Sequence, residues 1–179
     1  MTESFWGNAS LEPKRAYRWI MLLGGIPQWV IKKVNKPSWE VSETPHDYLI
    51  HKFYYPGRVT WNEVKCTLVD PVTPDAAASM HAILVASGYP AAGPVDAFAT
   101  RTISKQAATT ALGRVEISQL GAGEDEVIES WVLRNAWIKN VSLGELDYSS
   151  DDMVNVELTI RYDWAEQTEH GPVAGAFGA

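Results

Sequence analysis

The sequence contains one cysteine among 179 residues, which excludes an intramolecular disulfide. Cys66 falls in the apolar phase of a predicted strand, so we expect its thiol to be buried and unreactive. Long apolar runs are also missing, since the longest, WIMLLGGIP at 19–27, is too short to cross a bilayer and is broken by glycine and proline. The first residues lack the apolar core of a secretory signal. We therefore expect synthesis and folding in a cytoplasm and no membrane partner.

Motifs for common chemistry are lacking too. The sequence has no HExxH helix, no paired cysteine or histidine spacing, no phosphate-binding loop and no nucleophile elbow. Its four histidines are scattered: His46, His51, His81 and His170. We expect no catalytic residue, no metal site and no cofactor. An enzyme or ligand-binding domain stays open as an alternative; its best candidate groups, Asp151, Asp152, His46 and His51, would have to share a concave pocket.

Positive charge is scarce in the last third of the chain. The net charge is −7; residues 1–110 carry 11 Lys and Arg against 9 Asp and Glu, whereas residues 111–179 carry 4 against 13. A protein that grips phosphates normally presents a basic surface. We therefore expect no tight nucleic-acid binding, and an acidic surface that repels DNA.

Strand-like patterns make up most of what is present. They occur at 17–24, 28–34, 39–43, 58–70, 114–120, 126–141 and 154–164. The first two are predicted to form a hairpin through the turn residues GGIP. The clearest helix spans 73–88, with Thr73 as its N-cap, Pro74 in the first turn and Gly88 at its end. The stretch 90–113 is interpreted as an irregular connection.

These elements predict a mainly β fold with one central α-helix, arranged as a β-barrel or sandwich. The length suits one domain that buries a sizeable core without a disulfide. We divide the chain into an N-terminal arm at 1–14, a single β domain at 15–168 and a flexible C-terminal tail at 169–179.

The last predicted strand, 154–164, alternates strictly between apolar and polar residues. One side is Val154, Val156, Leu158, Ile160, Tyr162 and Trp164, and the other is Asn155, Glu157, Thr159, Arg161 and Asp163. Such a strand packs one side on a core and turns the other to water. A monomeric sandwich with one solvated face would give the same alternation as a sheet shared between subunits.

The segment 44–57, TPHDYLIHKFYYPG, is rich in aromatic residues and shows no clean period. We interpret it as a long loop. Two alternatives stay open: the loop folds back on its own core, or it is a contact surface.

The stretch ESWVLRNAWIKNVSLGELDYSSDDMVNVELTIRYDWAE, at 129–166, resembles the tail tube protein family of T-even-type contractile-tailed bacteriophages. GRVTWNEVKCTLVDP and DAAASMHAILVASG are similar to that family's strand-then-helix passage. The convincing match covers about a third of the chain. The matching positions are Trp137, Val141, Gly144, Glu145, Leu146, Asp147 and Tyr162.

The resemblance implies a structural protein of the virion tail, made in the host cytoplasm. Six copies would form a ring in which neighbours complete a continuous β-barrel, and rings would stack into a tube inside a contractile sheath. The implied partners are the sheath protein, baseplate proteins and the tail terminator, with DNA passing through the bore without specific binding. A baseplate tube initiator of related fold is the alternative within the same class.

Two sets of residues follow as expectations for such a tube. The predicted lumen-facing residues are Asn155, Glu157, Thr159, Arg161, Asp163, Glu63, Lys65 and Thr67, forming a polar and net acidic lining. The predicted contacts with the next subunit or ring are His46, Asp47, Tyr48, Lys52, Phe53, Tyr54 and Tyr55, because aromatic residues commonly anchor interfaces.

Overall fold

The computed structural model describes residues 13–89, 102–123 and 126–170, and within these ranges the chain is mainly β. The strands are β1 (Trp19–Leu23), β2 (Ile31–Val34), β3 (Trp39–Tyr48), β4 (His51–Trp61), β5 (Val64–Val69), β6 (Val115–Leu120), β7 (Val127–Arg134), β8 (Trp137–Ser142), β9 (Asn155–Arg161) and β10 (Trp164–His170). Two helices, α1 (Ala76–Ala86) and α2 (Lys105–Leu112), lie between β5 and β6. Neither is long and apolar enough to span a membrane.

The strands form two four-stranded sheets and one separate hairpin. Sheet A has the order β1-β6-β7-β10, sheet B has the order β2-β5-β9-β8, and β3 pairs only with β4. All pairs are antiparallel. Within the described residues, sheet B therefore has two edge strands, β2 and β8.

The core is built from the inward sides of both sheets. Leu23 and Val115 of sheet A and Leu68 and Leu158 of sheet B are fully buried in one cluster, together with residues of both helices. Sulfur atoms connect the sheets directly, since Cys66 Sγ lies 3.9 Å from Met21 Sδ. The expectation of a buried Cys66 is confirmed, and burial raises the pKa of its thiol to about 12.

The alternating strand predicted at 154–164 is shorter than expected. β9 ends at Arg161, and its apolar side is buried through Val156, Leu158 and Ile160. Asp163 then lies in a turn, where Lys105 Nζ donates to it at 2.6 Å and Asn135 Nδ2 at 2.8 Å. β9 pairs with β5 on one side and β8 on the other. Neighbouring copies are therefore not needed to pair it, and the strands of sheet B with only one neighbour among the described residues are β2 and β8.

The predicted hairpin of 17–24 with 28–34 is wrong, because β1 and β2 belong to different sheets. Gly24 and Gly25 both have positive φ, 46° and 79°, which turns the chain sharply after β1. A single 3-10 turn at Gln28–Val30 follows and redirects it into sheet B. The Gln28 side chain fixes this turn by accepting a hydrogen bond from the Met21 amide at 2.6 Å.

The described chain has two helices, not the single central helix predicted. α1 lies inside the predicted 73–88, but Asp75 is its N-cap and accepts a hydrogen bond from Ala78 N at 2.8 Å. α2 lies in the stretch interpreted as irregular; Ser104 caps its start and Gly113, with φ of 71°, follows its end. Its signal was weak because the helix is short and its buried side consists of Ala108 and Leu112, one turn apart.

The predicted ends are described only in part. β10 continues to His170, so positions 169 and 170 of the predicted tail belong to a strand. Residues 171–179, and residues 1–12 of the predicted arm, lie outside the described residues.

Candidate assembly surfaces

The β3–β4 hairpin is long and is exposed over almost its entire length. Its strands pair from Trp39 opposite Trp61 at the base to Tyr48 opposite His51 at the tip. Each side chain from Trp39 to Thr60 is exposed. The segment 44–57, predicted to be a loop, is thus the outer part of this hairpin. An isolated two-stranded hairpin is marginal in water, so one of this length is typical of an element that packs against a partner.

Local features of the sequence give the hairpin its shape. A bulge lies between Val41 and Glu43, and Ser42 Oγ accepts a hydrogen bond from the Arg58 amide at 2.9 Å. Gly57 makes this close approach possible, since a Cβ there would lie 2.4 Å from Ser42 Oγ. At the tip, Leu49 adopts a positive φ of 56°.

The hairpin has an aromatic side and a mixed side, because residues directly opposite each other share a side of the ladder. The aromatic side carries five rings: His46, Tyr48, His51, Phe53 and Tyr55. His46 and Tyr55 meet edge to face, with ring centroids 6.4 Å apart. The predicted contact residues are therefore divided between two surfaces.

The mixed side carries the remaining predicted contact residues. Tyr54 is opposite Pro45, and Lys52 forms an exposed cross-strand ion pair with Asp47 at 3.7 Å. Tyr54 and Tyr55 are equally exposed, at 59% and 58%, but on opposite sides. They form a natural matched pair for testing which side makes a contact.

The tip of the hairpin was missed by the sequence analysis. Leu49 and Ile50 connect the strands and are 86% and 93% exposed. Tips of hairpins usually carry polar turn residues. Two aliphatic side chains in this position are unusual. They could have indicated an apolar contact at the tip, but the interpretation of 44–57 as a loop did not identify a tip.

A buried carboxylate holds the base of the hairpin. Glu129 on β7 is only 7% exposed and forms ion pairs with Lys14 and with Lys36, the latter at 3.0 Å. It also accepts a hydrogen bond from Trp131 Nε1 at 2.5 Å. Burial alone would raise the pKa of Glu129, but these three donors outweigh it and lower the pKa to about 2. We call Glu129 with its three donors the Glu129 clamp.

Aromatic stacking extends the Glu129 clamp into the hairpin. The Trp131 ring lies 6.4 Å from that of Trp39, which in turn lies 5.2 Å from that of Trp61. Trp61 contacts Tyr162 on the sheet B side, with centroids 6.1 Å apart. The hairpin base is thus packed against both larger sheets, whereas its outer part has no covering element among the described residues.

The outward side of sheet B is polar throughout its centre. Seven of the eight predicted lumen-facing residues lie on it: Glu63, Lys65, Thr67, Asn155, Glu157, Thr159 and Arg161. Asp163 does not, because it is in the turn after β9. Edge strands add Lys33 on β2, which is opposite Thr67, and Asn140 on β8, which is opposite Thr159. We call this surface the polar face.

The charge of the polar face differs from the acidic lining that the sequence predicts. Five basic side chains lie on it: Lys32, Lys33, Lys65, Lys139 and Arg161. Of the described residues on the face, Glu63 and Glu157 are acidic, and the β8–β9 loop adds Glu145, Asp147 and Asp152 at its border beside Asn155. Hydrogen bonding from Lys139 lowers the pKa of Glu63, and Arg161 lies 3.9 Å from the same carboxylate. The surplus is therefore basic, although the whole chain carries −7.

The loop between β8 and β9 contains the acidic part of the family-like motif. Gly144 in this loop has a φ of 83°, and a Cβ there would lie 2.7 Å from the Asn155 carbonyl oxygen. Ser149 donates its backbone and side-chain hydrogen bonds to Asp147, which lowers the pKa of that carboxyl. Leu146 and Tyr148 are exposed beside it.

The enzyme candidates do not form a site. Asp151 and Asp152 are exposed in the β8–β9 loop, whereas His46 and His51 are exposed on the hairpin. Asp152 lines a cavity beside the loop, but neither histidine does. Among the described residues no group of three or more His, Cys, Asp or Glu is placed to hold a metal ion.

An apolar groove of about 440 Å³ lies beside edge strand β8, between β8 and the two helices. Met80, Ile83 and Leu84 of α1 form one wall, and Trp137 and Val141 of β8 form the other. Among the described residues no strand pairs with the outer edge of β8, and apolar surface lies next to it.

No protein-family model and no curated protein sequence matches this chain. Solved structures of contractile injection systems contain chains with a similar fold. One is from the tube-terminating cap of the anti-feeding prophage, with a TM-score of 0.64 and 17% identity over 94% of this chain and 99% of that chain. Another is from the sheath/tube terminator of an extracellular contractile injection system, with a TM-score of 0.61 and 16% identity over 88% and 97%.

A third similar chain belongs to the six-fold symmetrised baseplate of the anti-feeding prophage. Its TM-score is 0.60, with 14% identity over 88% of this chain and 97% of that chain. At such identities the likeness shows the fold alone. That fold is found in components of contractile injection systems, and it agrees with the tail-tube-like architecture that the sequence resemblance implies, without pointing to T-even phages in particular.

Proposed function

We propose that this chain is a structural subunit of a contractile-tail tube, with no catalytic role. Six copies form a ring, rings stack into a hollow tube inside a sheath, and the bore conducts DNA. The observation that carries this proposal is sheet B, whose central strands are fully paired, whose two edge strands have no further strand partner among the described residues, and whose outward side is polar. Such a sheet suits closure with copies of itself around an aqueous channel.

The free edges suggest how the ring closes. A cyclic ring is built from heterologous contacts, in which one surface of a subunit meets a different surface of the next. Strand β2 of one copy would pair with β8 of its neighbour, and the apolar groove beside β8 would be covered at the same time. Six such contacts give a barrel without open edges, and the polar face of each copy then lines the bore.

The β3–β4 hairpin would join neighbouring subunits or rings. Its aromatic side offers five rings at one surface, and Leu49 and Ile50 extend the apolar contact at the tip. Burying this surface would supply the packing that a two-stranded hairpin needs. The similar fold of a chain in a six-fold symmetrised baseplate supports the ring number.

A terminal role is the second candidate, because the similar chains come from cap, terminator and baseplate structures. A cap or initiator would form one ring at an end of the tube and would bind sheath, baseplate or terminator proteins there. Copy number per particle separates the two roles, since a tube subunit is present in many rings and a terminal protein in one.

The matched tyrosines test the hairpin contact. Tyr55→Ser removes a ring from the aromatic side, so tube or ring assembly should fall while the monomer stays folded. Tyr54→Ser removes an equally exposed ring from the mixed side and should assemble nearly as the unmodified protein does. Negative-stain images and sedimentation velocity measure assembly, and circular dichroism measures folding. Equal assembly of all three proteins would refute the aromatic contact.

A further inference from the structure

The basic surplus of the polar face is concentrated on one half of sheet B. Lys32 and Lys33 are on β2, and Lys65 is on the neighbouring strand β5. Lys33 is opposite Thr67, which lies two residues along β5 from Lys65. Both lysines are therefore on the same side of the sheet and close to each other. Lys32 reaches across the sheet, and its Nζ lies 3.4 Å from Asn155 Oδ1.

None of these three lysines forms a direct ion pair among the described residues, although Lys65 is near enough to Glu63 to help lower the pKa of that carboxyl. Lys139 and Arg161 share Glu63. The lysines are exposed and therefore present three ammonium groups to solvent. Glu63 and Glu157 line the same cavity as Lys33 and Lys65, so the five basic groups of the face exceed its two carboxylates by three.

The uncharged residues of the face indicate what kind of anion fits it. Thr67, Thr159 and Asn155 lie on the central strands and Asn140 lies on edge strand β8, and their hydroxyl and amide groups can donate hydrogen bonds to phosphate oxygens. The apolar side chains that the register places on this side lie toward its ends, Val69 opposite Asn155 and Trp137 opposite Arg161. Protein partners are usually anchored by such side chains, whereas a phosphodiester backbone is held by cations and hydrogen-bond donors alone.

We propose that the polar face of sheet B makes weak, sequence-independent contacts with the phosphates of double-stranded DNA, chiefly through Lys32, Lys33 and Lys65. The contact is a property of the single chain and does not need a ring. The location of this contact in the bore of a tube rests on the proposed function. There it would make the DNA path weakly adhesive and salt-sensitive, instead of repulsive as the sequence composition suggests.

The test measures binding of the full chain to a fluorescent 20-base-pair DNA duplex by anisotropy over a range of salt concentrations. Non-specific binding has Kd values of about 10⁻⁴–10⁻⁶ M, and we expect the weak end, about 10⁻⁴ M, in 50 mM salt. Each phosphate contact contributes about −0.9 to the slope of log K against log salt. Three contacts predict a slope near −3 and a loss of affinity of about 40-fold between 50 and 200 mM salt.

Two triple variants locate the contact. K32Q/K33Q/K65Q should lower the affinity at least tenfold, whereas K52Q/R58Q/R114Q removes the same charge from exposed positions off the face and should change it less than threefold. Thermal melts of both variants check that the fold is retained. No DNA binding at 50 mM salt, or an equal loss in both variants, would overturn the proposal.

A parallel titration with poly-glutamate separates DNA from an acidic polypeptide. Binding of poly-glutamate without binding of DNA would also overturn the proposal, because it would assign the face to protein. Ring formation is scored separately by negative stain. Failure to form rings would count against the proposed function and leave the DNA result intact. Rings formed by a chain that does not bind DNA would overturn the DNA contact and leave the proposed function intact.

Discussion

Replacing Glu129 with glutamine removes one buried negative charge where the chain preceding β1, the β2–β3 connection and β7 meet. Glutamine has the same shape and can still accept hydrogen bonds, so little packing is lost. Lys14 and Lys36 lose their carboxylate partner, however, and Trp131 Nε1 loses a charged acceptor. We expect the folded state to be destabilised and the hairpin base to loosen.

The magnitude follows from the pKa of the carboxyl. It falls from an ordinary 4.5 to about 2 in the folded chain, and a one-unit difference between the folded and unfolded pKa corresponds to about 1.4 kcal/mol. This sets an upper bound of about 3.5 kcal/mol on the contribution of the charge. Lys14 and Lys36 are half-exposed, so water screens part of it. We expect Glu129→Gln to lower the free energy of unfolding by about 1–2 kcal/mol at pH 7.

The pH dependence identifies the origin of this loss. Because the pKa of Glu129 is lowered by folding, its charge stabilises the fold fully above about pH 4.5 and loses this effect as the pH falls toward 2. The difference between the two proteins should therefore be constant from pH 7 to 5 and shrink below pH 4.5. Urea unfolding at each pH measures it. A difference that persists undiminished at pH 3, or no difference at pH 7, would refute the reasoning.

A matched control separates the Glu129 clamp from a general effect of charge. Glu43 is exposed on the hairpin and has no ion-pair partner among the described residues. Glu43→Gln removes the same charge and should change the free energy of unfolding by less than about 0.5 kcal/mol. Hydrogen exchange at the hairpin base should rise in Glu129→Gln and not in the control.

Three further predictions concern the fold. Asp75→Ala removes the α1 N-cap and should cost about 1 kcal/mol in urea unfolding, while Thr73→Ala should cost less; a larger effect at Thr73 would contradict the observed cap. Leu158→Ala opens a cavity in the centre of the core and should cost about 2–5 kcal/mol, and a cost below 1 kcal/mol would show that the site is not tightly packed. The Cys66 thiol, with a pKa of about 12, should stay unreactive toward a thiol reagent at pH 8 until the chain unfolds, and rapid reaction of the native protein would contradict its burial.

The strands of the core could be predicted from the sequence because their pattern is set by local alternation. Val156, Leu158 and Ile160 are buried as the period-two pattern requires. Partner choice could not be predicted this way. The GGIP sequence is compatible with a tight hairpin and also with the turn observed here, which directs β1 and β2 into separate sheets.

The surfaces were predictable only in part, for a similar reason. Segment 44–57 was singled out from its aromatic content, with a self-packed loop and a contact surface as alternatives, but its division into two sides required the register of β3 against β4. The basic surplus of the polar face could not be predicted from the net charge of the chain. The basic side chains of this face come from four strands that are distant in sequence. Glu129 carries no motif, and only its burial beside Lys14, Lys36 and Trp131 reveals its role.

A cryo-EM reconstruction of the purified, assembled protein tests the central claim most directly. We predict rings of six copies, with β2 of each copy beside β8 of the next and with Thr159 and Lys65 of the polar face pointing into the bore. An assembly in which sheet B faces outward, or a chain that stays monomeric at high concentration even with tail nucleators present, would contradict the account.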